Sequence, residues 1–263
     1  MASANPERRD DRHAKRLRLN RTFFDDPDFF AGYQALRRTE RGLNAALEWP
    51  AFRSMLPPLS GKRVLDLGCG FGPLCHYAAE HGAASVVGVD ISTRMLQWAR
   101  RENSGERVTY LQSPIEDADF DPSSFDLVAS SLALQYVERF DSVCVNVAQW
   151  LVADGVFVLS VEHPTCTGTM SPDPWCRDEH GARRHWIVDD YQSEGIRHHR
   201  WLVDDVIKYH RKTETYLNTL IGAGFAIAKI MEPPPTAEAI RERPDLMDDF
   251  RRPPFLLVAV RKL

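Results

Sequence analysis

No stretch of the 263 residues approaches the roughly 20 consecutive apolar residues that span a bilayer, so no membrane segment is expected. The N-terminus lacks the apolar core of a signal peptide. There is no C-x-x-C pair, and the five cysteines, Cys69, Cys75, Cys144, Cys166 and Cys176, are odd in number. Reduced thiols in a cytoplasmic protein are the simplest expectation. An excess of positive charge is also missing. The formal net charge is -4, so no global field favours nucleic acid. No internal repeat is present. What remains is 43% hydrophobic and 27% charged, enough for a sizeable core in one large domain or two small ones.

The chain is organised around Val64-Leu65-Asp66-Leu67-Gly68-Cys69-Gly70-Phe71-Gly72. Val64 to Leu67 reads as a short buried strand. The glycines that follow let the backbone turn sharply and let a ligand approach without meeting a Cβ. A strand, a glycine turn and a helix point to a nucleotide or nucleoside. A dinucleotide fingerprint needs glycine at the sixth position, where this chain has Pro73. Asp66 beside the turn would repel a pyrophosphate and suits an ammonium group. The next strand, Val86 to Asp90, ends in an acid that can accept both hydroxyls of a ribose. Ile91 and Met95 are placed where an adenine could rest. S-adenosylmethionine fits these residues: an adenosine, no phosphate and a cationic amino-acid tail.

With Asp66, Gly68 and Gly70 as D-x-G-x-G and Asp90 closing the next strand, the chain resembles the class I S-adenosylmethionine-dependent methyltransferases. Val161-Glu162-His163-Pro164 and Lys208-Tyr209-His210-Arg211 are similar to stretches of a bacterial subgroup acting on small molecules. The resemblance implies a Rossmann-like, doubly wound α/β fold. Its seven-stranded sheet is mostly parallel, with the last strand, Leu256 to Val260, antiparallel. It implies that Tyr33 and Arg37, in a Tyr-x-x-Leu-Arg stretch, reach the methionine end of the cofactor. Ile115 and Glu116 would border the adenine, with Pro114 where relatives often have Asp. Ser130 and Leu132, at the end of the fourth strand, would lie beside the transferred methyl group. That strand lacks the Asn/Asp-Pro-Pro-aromatic word of enzymes that methylate adenine amines or glutamine amides.

The expected organisation is a basic tail over 1–20, a helical lid over 21–60 and a core over 61–263. Helices are expected over Met95 to Arg101, Val143 to Val152 and Thr215 to Gly222, with a turn at Asp154-Gly155. A polar, histidine-rich insertion over 162–212 would roof the substrate. A hydroxyl acceptor needs a base, and His163 and His210 are the candidate catalytic residues. Tyr33, Tyr136 and Trp201 are candidates to stack on a planar acceptor. His163, Cys166, Cys176 and His180 have spacings that zinc could use, but free thiols are the simpler reading, and no metal is assigned. The expected activity is N- or O-methylation of a small planar, heteroaromatic or carboxylate-bearing metabolite. A tRNA methyltransferase, a non-catalytic cofactor binder and a nicotinamide-dependent oxidoreductase are the alternatives.

Overall fold

The computed structural model describes residues 23–36, 43, 46–171 and 173–263. The basic tail over 1–20 and Arg37 lie outside the described residues. Five βα steps build the core. Strands β1 (Arg63–Leu67), β2 (Ser85–Asp90), β3 (Val108–Gln112), β4 (Phe125–Ser131) and β5 (Leu151–Glu162) are parallel to their neighbours. After β5 come two hairpins, β6 (Trp175–Arg177) with β7 (Arg183–Trp186), and β8 (Gly195–Trp201) with β9 (Val203–His210). Strands β10 (Phe225–Met231) and β11 (Phe255–Lys262) complete the main sheet. Its order is β10-β11-β5-β4-β1-β2-β3, and β11 runs antiparallel to both neighbours. The chain reverses direction of winding between β1 and β4, and in such sheets ligands bind outside the carboxyl ends at that point.

Alternation along the strands divides the core into two faces. Leu65, Leu67, Val128, Phe157 and Leu159 pack on helix α5 (Phe140–Trp150) and helix α7 (Thr213–Gly222). Val64, Leu127, Ala129 and Val158 face α2 (Trp49–Met55), α3 (Pro73–Glu80) and α4 (Thr93–Glu102). Helix α5 ends at Trp150, two residues before the expected Val152. The expected turn at Asp154-Gly155 is instead an irregularity inside β5, with Asp154 left-handed at φ 60°. Aspartate tolerates that conformation better than most residues.

Ahead of the core, Asp26 caps α1 (Pro27–Gln34) by accepting from the N–H groups of Asp28 and Phe29. Phe29 of α1 packs fully buried against Phe71 and Met95. Asp25 accepts from the Ser92 hydroxyl at 2.7 Å and from Arg94 N–H at 3.1 Å, tying this segment to the start of α4.

Beyond β5, the short helix α6 (Pro164–Thr167) leads into the hairpins. Buried Arg197 holds this region together. Its guanidinium donates to the carbonyls of Thr167, Asp190, Ser193 and Ile196. The first hairpin is clasped to the segment after α8 (Ala237–Glu242). Arg251 lies over the Trp175 ring and Arg252 over Trp186, while Arg183 pairs with Asp248 at 2.9 Å. Replacing Arg197 by Met strands four carbonyls. Hydrogen bonds to a charged group contribute roughly 1.5–3 kcal/mol each, net of the bonds to water they replace. Arg197→Met is expected to lower the thermal midpoint and to speed hydrogen exchange over 163–201 while the main sheet stays protected. Unchanged exchange there would show that the guanidinium is not the anchor.

Candidate active site

The glycine turn after β1 is shaped by what surrounds it. Gly68 is left-handed at φ 76°, and a Cβ there would sit 2.2 Å from the Ala133 side chain. Gly70 is left-handed at φ 53°, yet among the described residues only the Tyr33 hydroxyl would come within 4 Å of its Cβ. The first glycine makes room for the chain; the second leaves room for something else. Gly70 N–H donates to Asp90 Oδ2 at 2.8 Å, and Ser92 N–H donates to Oδ1 at 2.8 Å. Burial pushes the Asp90 carboxyl up to about 6, against the lowering effect of the Ser92 and Gly70 N–H groups.

These residues open onto a cavity of about 800 Å³. That is toward the upper end of the ~300–1,000 Å³ that encloses a drug-sized ligand, so it has room for two small molecules side by side. One half is walled by Gly68, Gly70, Asp90, Ile91, Met95, Pro114, Ile115 and Glu116. Tyr33, from α1, and Leu132 also line the cavity. Leu132 is left-handed at φ 53°, held there as its N–H meets Ser160 Oγ and the Ser160 carbonyl. A branched side chain in that conformation costs roughly 1–2 kcal/mol, and such strain gathers at functional sites. The other half is walled by Glu48, Gln135, Tyr136, Glu162, Trp201 and Phe255, and by Thr236 to Leu246 around α8.

Asp66 and Ser130 are not in this wall. Asp66 sits on the face of β1 covered by α3, 2% exposed, and accepts from the Cys75 thiol at 3.4 Å. Ser130 is fully buried and donates to the Leu67 carbonyl at 2.8 Å, joining β4 to β1. Ser131 and Leu132 take the exposed places instead.

The two histidines expected to act as bases also lie outside the wall. His163 caps α6: Nδ1 accepts from Thr165 N–H, which leaves Nε2–H to donate to Glu232 at 2.8 Å. His210 is buried. Thr167 Oγ1 donates to its Nδ1, and its Nε2–H donates to the Tyr191 carbonyl. Burial holds both rings below the usual histidine range. Each ring is neutral near pH 7 with both nitrogens committed to the protein, so neither is placed to take a proton from an acceptor in the cavity. No histidine lines the cavity among the described residues. The thiol of Cys166 receives Arg252 at 3.0 Å, and Cys176 is exposed.

Sequence reasoning missed Glu48, Glu162 and the Thr236–Leu246 wall. Glu162 carried a readable signal. It ends β5 at the carboxyl edge where open α/β sheets bind ligands. His163 beside it drew attention by residue type, but the chain turns at Pro164 and sends that ring toward Glu232.

Comparison with known proteins adds to this geometry. A family model described as a methyltransferase domain matches residues 65–159. An uncharacterised protein of Haemophilus influenzae is 35% identical over 246 residues, 91% of this chain and 96% of that one. The crystal structure of an S-adenosylmethionine-dependent methyltransferase from Mesorhizobium loti is 44% identical with a TM-score of 0.79, covering 84% of this chain and all of the other. That of a putative S-adenosylmethionine-dependent methyltransferase from Listeria monocytogenes is 45% identical with a TM-score of 0.77, covering 83% and 99%.

The two glycines should respond differently to substitution. Gly70→Ala adds a methyl group to open space at a strained φ, at a cost of about 1 kcal/mol, and should weaken S-adenosylmethionine binding while leaving the fold intact. Gly68→Ala forces Ala133 aside and should lower the melting temperature as well. Calorimetric titration together with thermal unfolding separates the two outcomes.

Proposed function

This chain belongs to the S-adenosylmethionine-dependent methyltransferase family, and we propose that it methylates a small molecule, at nitrogen or oxygen, held in the same cavity as the cofactor. The residues fit the cofactor. Gly70 leaves an open cradle, Asp90 offers a carboxylate to a pair of hydroxyls, and Ile91, Met95 and Ile115 supply an apolar slot. Among the described residues, this half presents no cation that would call for a phosphate. When bound, the cofactor supplies a methyl group on a positively charged sulfur. The protein's work is then to align an acceptor and keep water away.

The observation that carries the proposal is the continuity of the cavity past Leu132. One side meets the glycine turn, and Tyr136, Trp201 and the α8 segment line the other. A cavity of about 800 Å³ suits a small acceptor better than a folded RNA. The aromatic side chains support a planar one. Tyr33 stands between the halves, 3.8 Å from the place of a Gly70 Cβ. With His163 and His210 engaged elsewhere, the walls align and desolvate the acceptor, and an acceptor nucleophilic near neutral pH is favoured. The test is methyl uptake from labelled cofactor across a metabolite panel. A protein that binds the cofactor but methylates nothing in that panel, and instead methylates tRNA, would overturn the small-molecule reading.

Cofactor affinity should depend on pH through Asp90. Hydroxyls donate to the ionised carboxylate. Below about 6 the free protein holds a proton there that binding must expel. Affinity should therefore fall as pH drops from 7 to 5, by up to about tenfold per unit below the midpoint. Calorimetry in buffers of different ionisation enthalpy should show a proton released on binding near pH 5.5. Asp90→Asn should bind more weakly at pH 7 and lose this dependence.

A further inference from the structure

Resting on that reading, we propose that the acceptor carries a basic nitrogen, and that Glu162 is the residue that selects it. The charged side chains in the described wall are Glu48, Asp90, Glu116, Glu162, Glu238 and Glu242 against a single cation, Arg243. Arg243 is already paired with Asp245 at 2.7 Å. Asp90 belongs to the cofactor half, and Glu116 accepts from Arg139 N–H at 2.8 Å. Of the remaining wall carboxylates, Glu162 stands at the end of β5, at the carboxyl edge of the sheet.

Glu162 is built into place. Its Oε1 accepts from Lys208 Nζ at 2.7 Å, and its Oε2 has no partner among the described residues. Lys208 is 4% exposed and is absent from the wall, with Nζ 5.5 Å from the centre of the Trp201 ring. Glu162 lines the cavity, whereas its counter-ion Lys208 does not. Burial alone would raise the Glu162 pKa, but Lys208 beside it brings it below the usual carboxylate range. His199, on β8, is half-buried and pushed down to about 4 by desolvation and by Lys208, so it adds no charge near neutral pH. An ionised carboxylate with a spare oxygen, in a cavity wall that also holds Trp201 and Tyr136, matches an ammonium or N–H group on an apolar frame. A carboxylate-bearing acceptor would meet repulsion in the same place.

Benzylamine, benzyl alcohol and benzoate test this as matched probes of similar shape. Their binding is measured by ligand-observed NMR to protein saturated with S-adenosylhomocysteine, after calorimetry has established that the nucleoside binds. Benzylamine is expected to bind about tenfold more tightly than the other two, and added salt should weaken it. Glu162→Gln should abolish that preference with S-adenosylhomocysteine affinity retained. Benzoate or benzyl alcohol binding as well as benzylamine, or no benzylamine binding at millimolar concentration, overturns the proposal and leaves the methyltransferase reading standing. A Glu162→Gln protein that keeps both the nucleoside and the amine preference overturns the role of Glu162. The wild-type comparison needs no variant, so a misfolded substitution does not shelter the idea. Failure of the nucleoside itself to bind overturns the reading and this inference with it.

Discussion

The site depends on one buried carboxylate holding two backbone amides. Asp90 takes the N–H groups of Gly70 and Ser92 on its two oxygens. The first bond fixes the glycine turn after β1; the second fixes the start of α4. Both elements wall the cofactor half of the cavity. A carboxylate there is costly, as its raised pKa shows, and the cost is offset only because the turn and the helix supply donors from two directions. Removing either donor would leave the charge buried and the turn free.

Around that point the sheet order does the rest. The reversal between β1 and β4 leaves a crevice at their carboxyl ends, and Leu132 crosses it in a strained conformation. The chain's membership of the methyltransferase family and its seven-stranded sheet agree with that arrangement, and the cavity extends to both sides of Leu132.

The core was legible because its signals are local and periodic. The short apolar runs at Val64–Leu67, Val86–Asp90 and Phe125–Ala129 are strands in the structure, and the glycine turn lies where its spacing places it. Gly68, Gly70, Asp90, Ile91, Met95, Ile115, Glu116 and Leu132 all come together in one wall, with Tyr33, Tyr136 and Trp201. Two kinds of expected residue lie outside that wall. Asp66 and Ser130 sit in the right strands but on inward-facing places, and motif spacing alone does not say which oxygen reaches a cavity. His163 and His210 were chosen by chemistry, whereas three of their four ring nitrogens bond to residues 19 to 69 positions away, and His163 Nδ1 caps its own helix. Such long-range partners leave no trace in a local pattern. The wall from Thr236 to Leu246 was hidden for the same reason: a charged, proline-flanked stretch gives no sign of where it docks.

The clasp of Arg251 and Arg252 over Trp175 and Trp186 joins two excursions that leave the sheet at different places. One carries the first hairpin, the other the α8 segment that lines the cavity. These contacts couple the two excursions, so a change in one meets the other. Changes in what the protein accepts should arise as coordinated exchanges on both excursions, while the nucleoside machinery beneath them stays as it is.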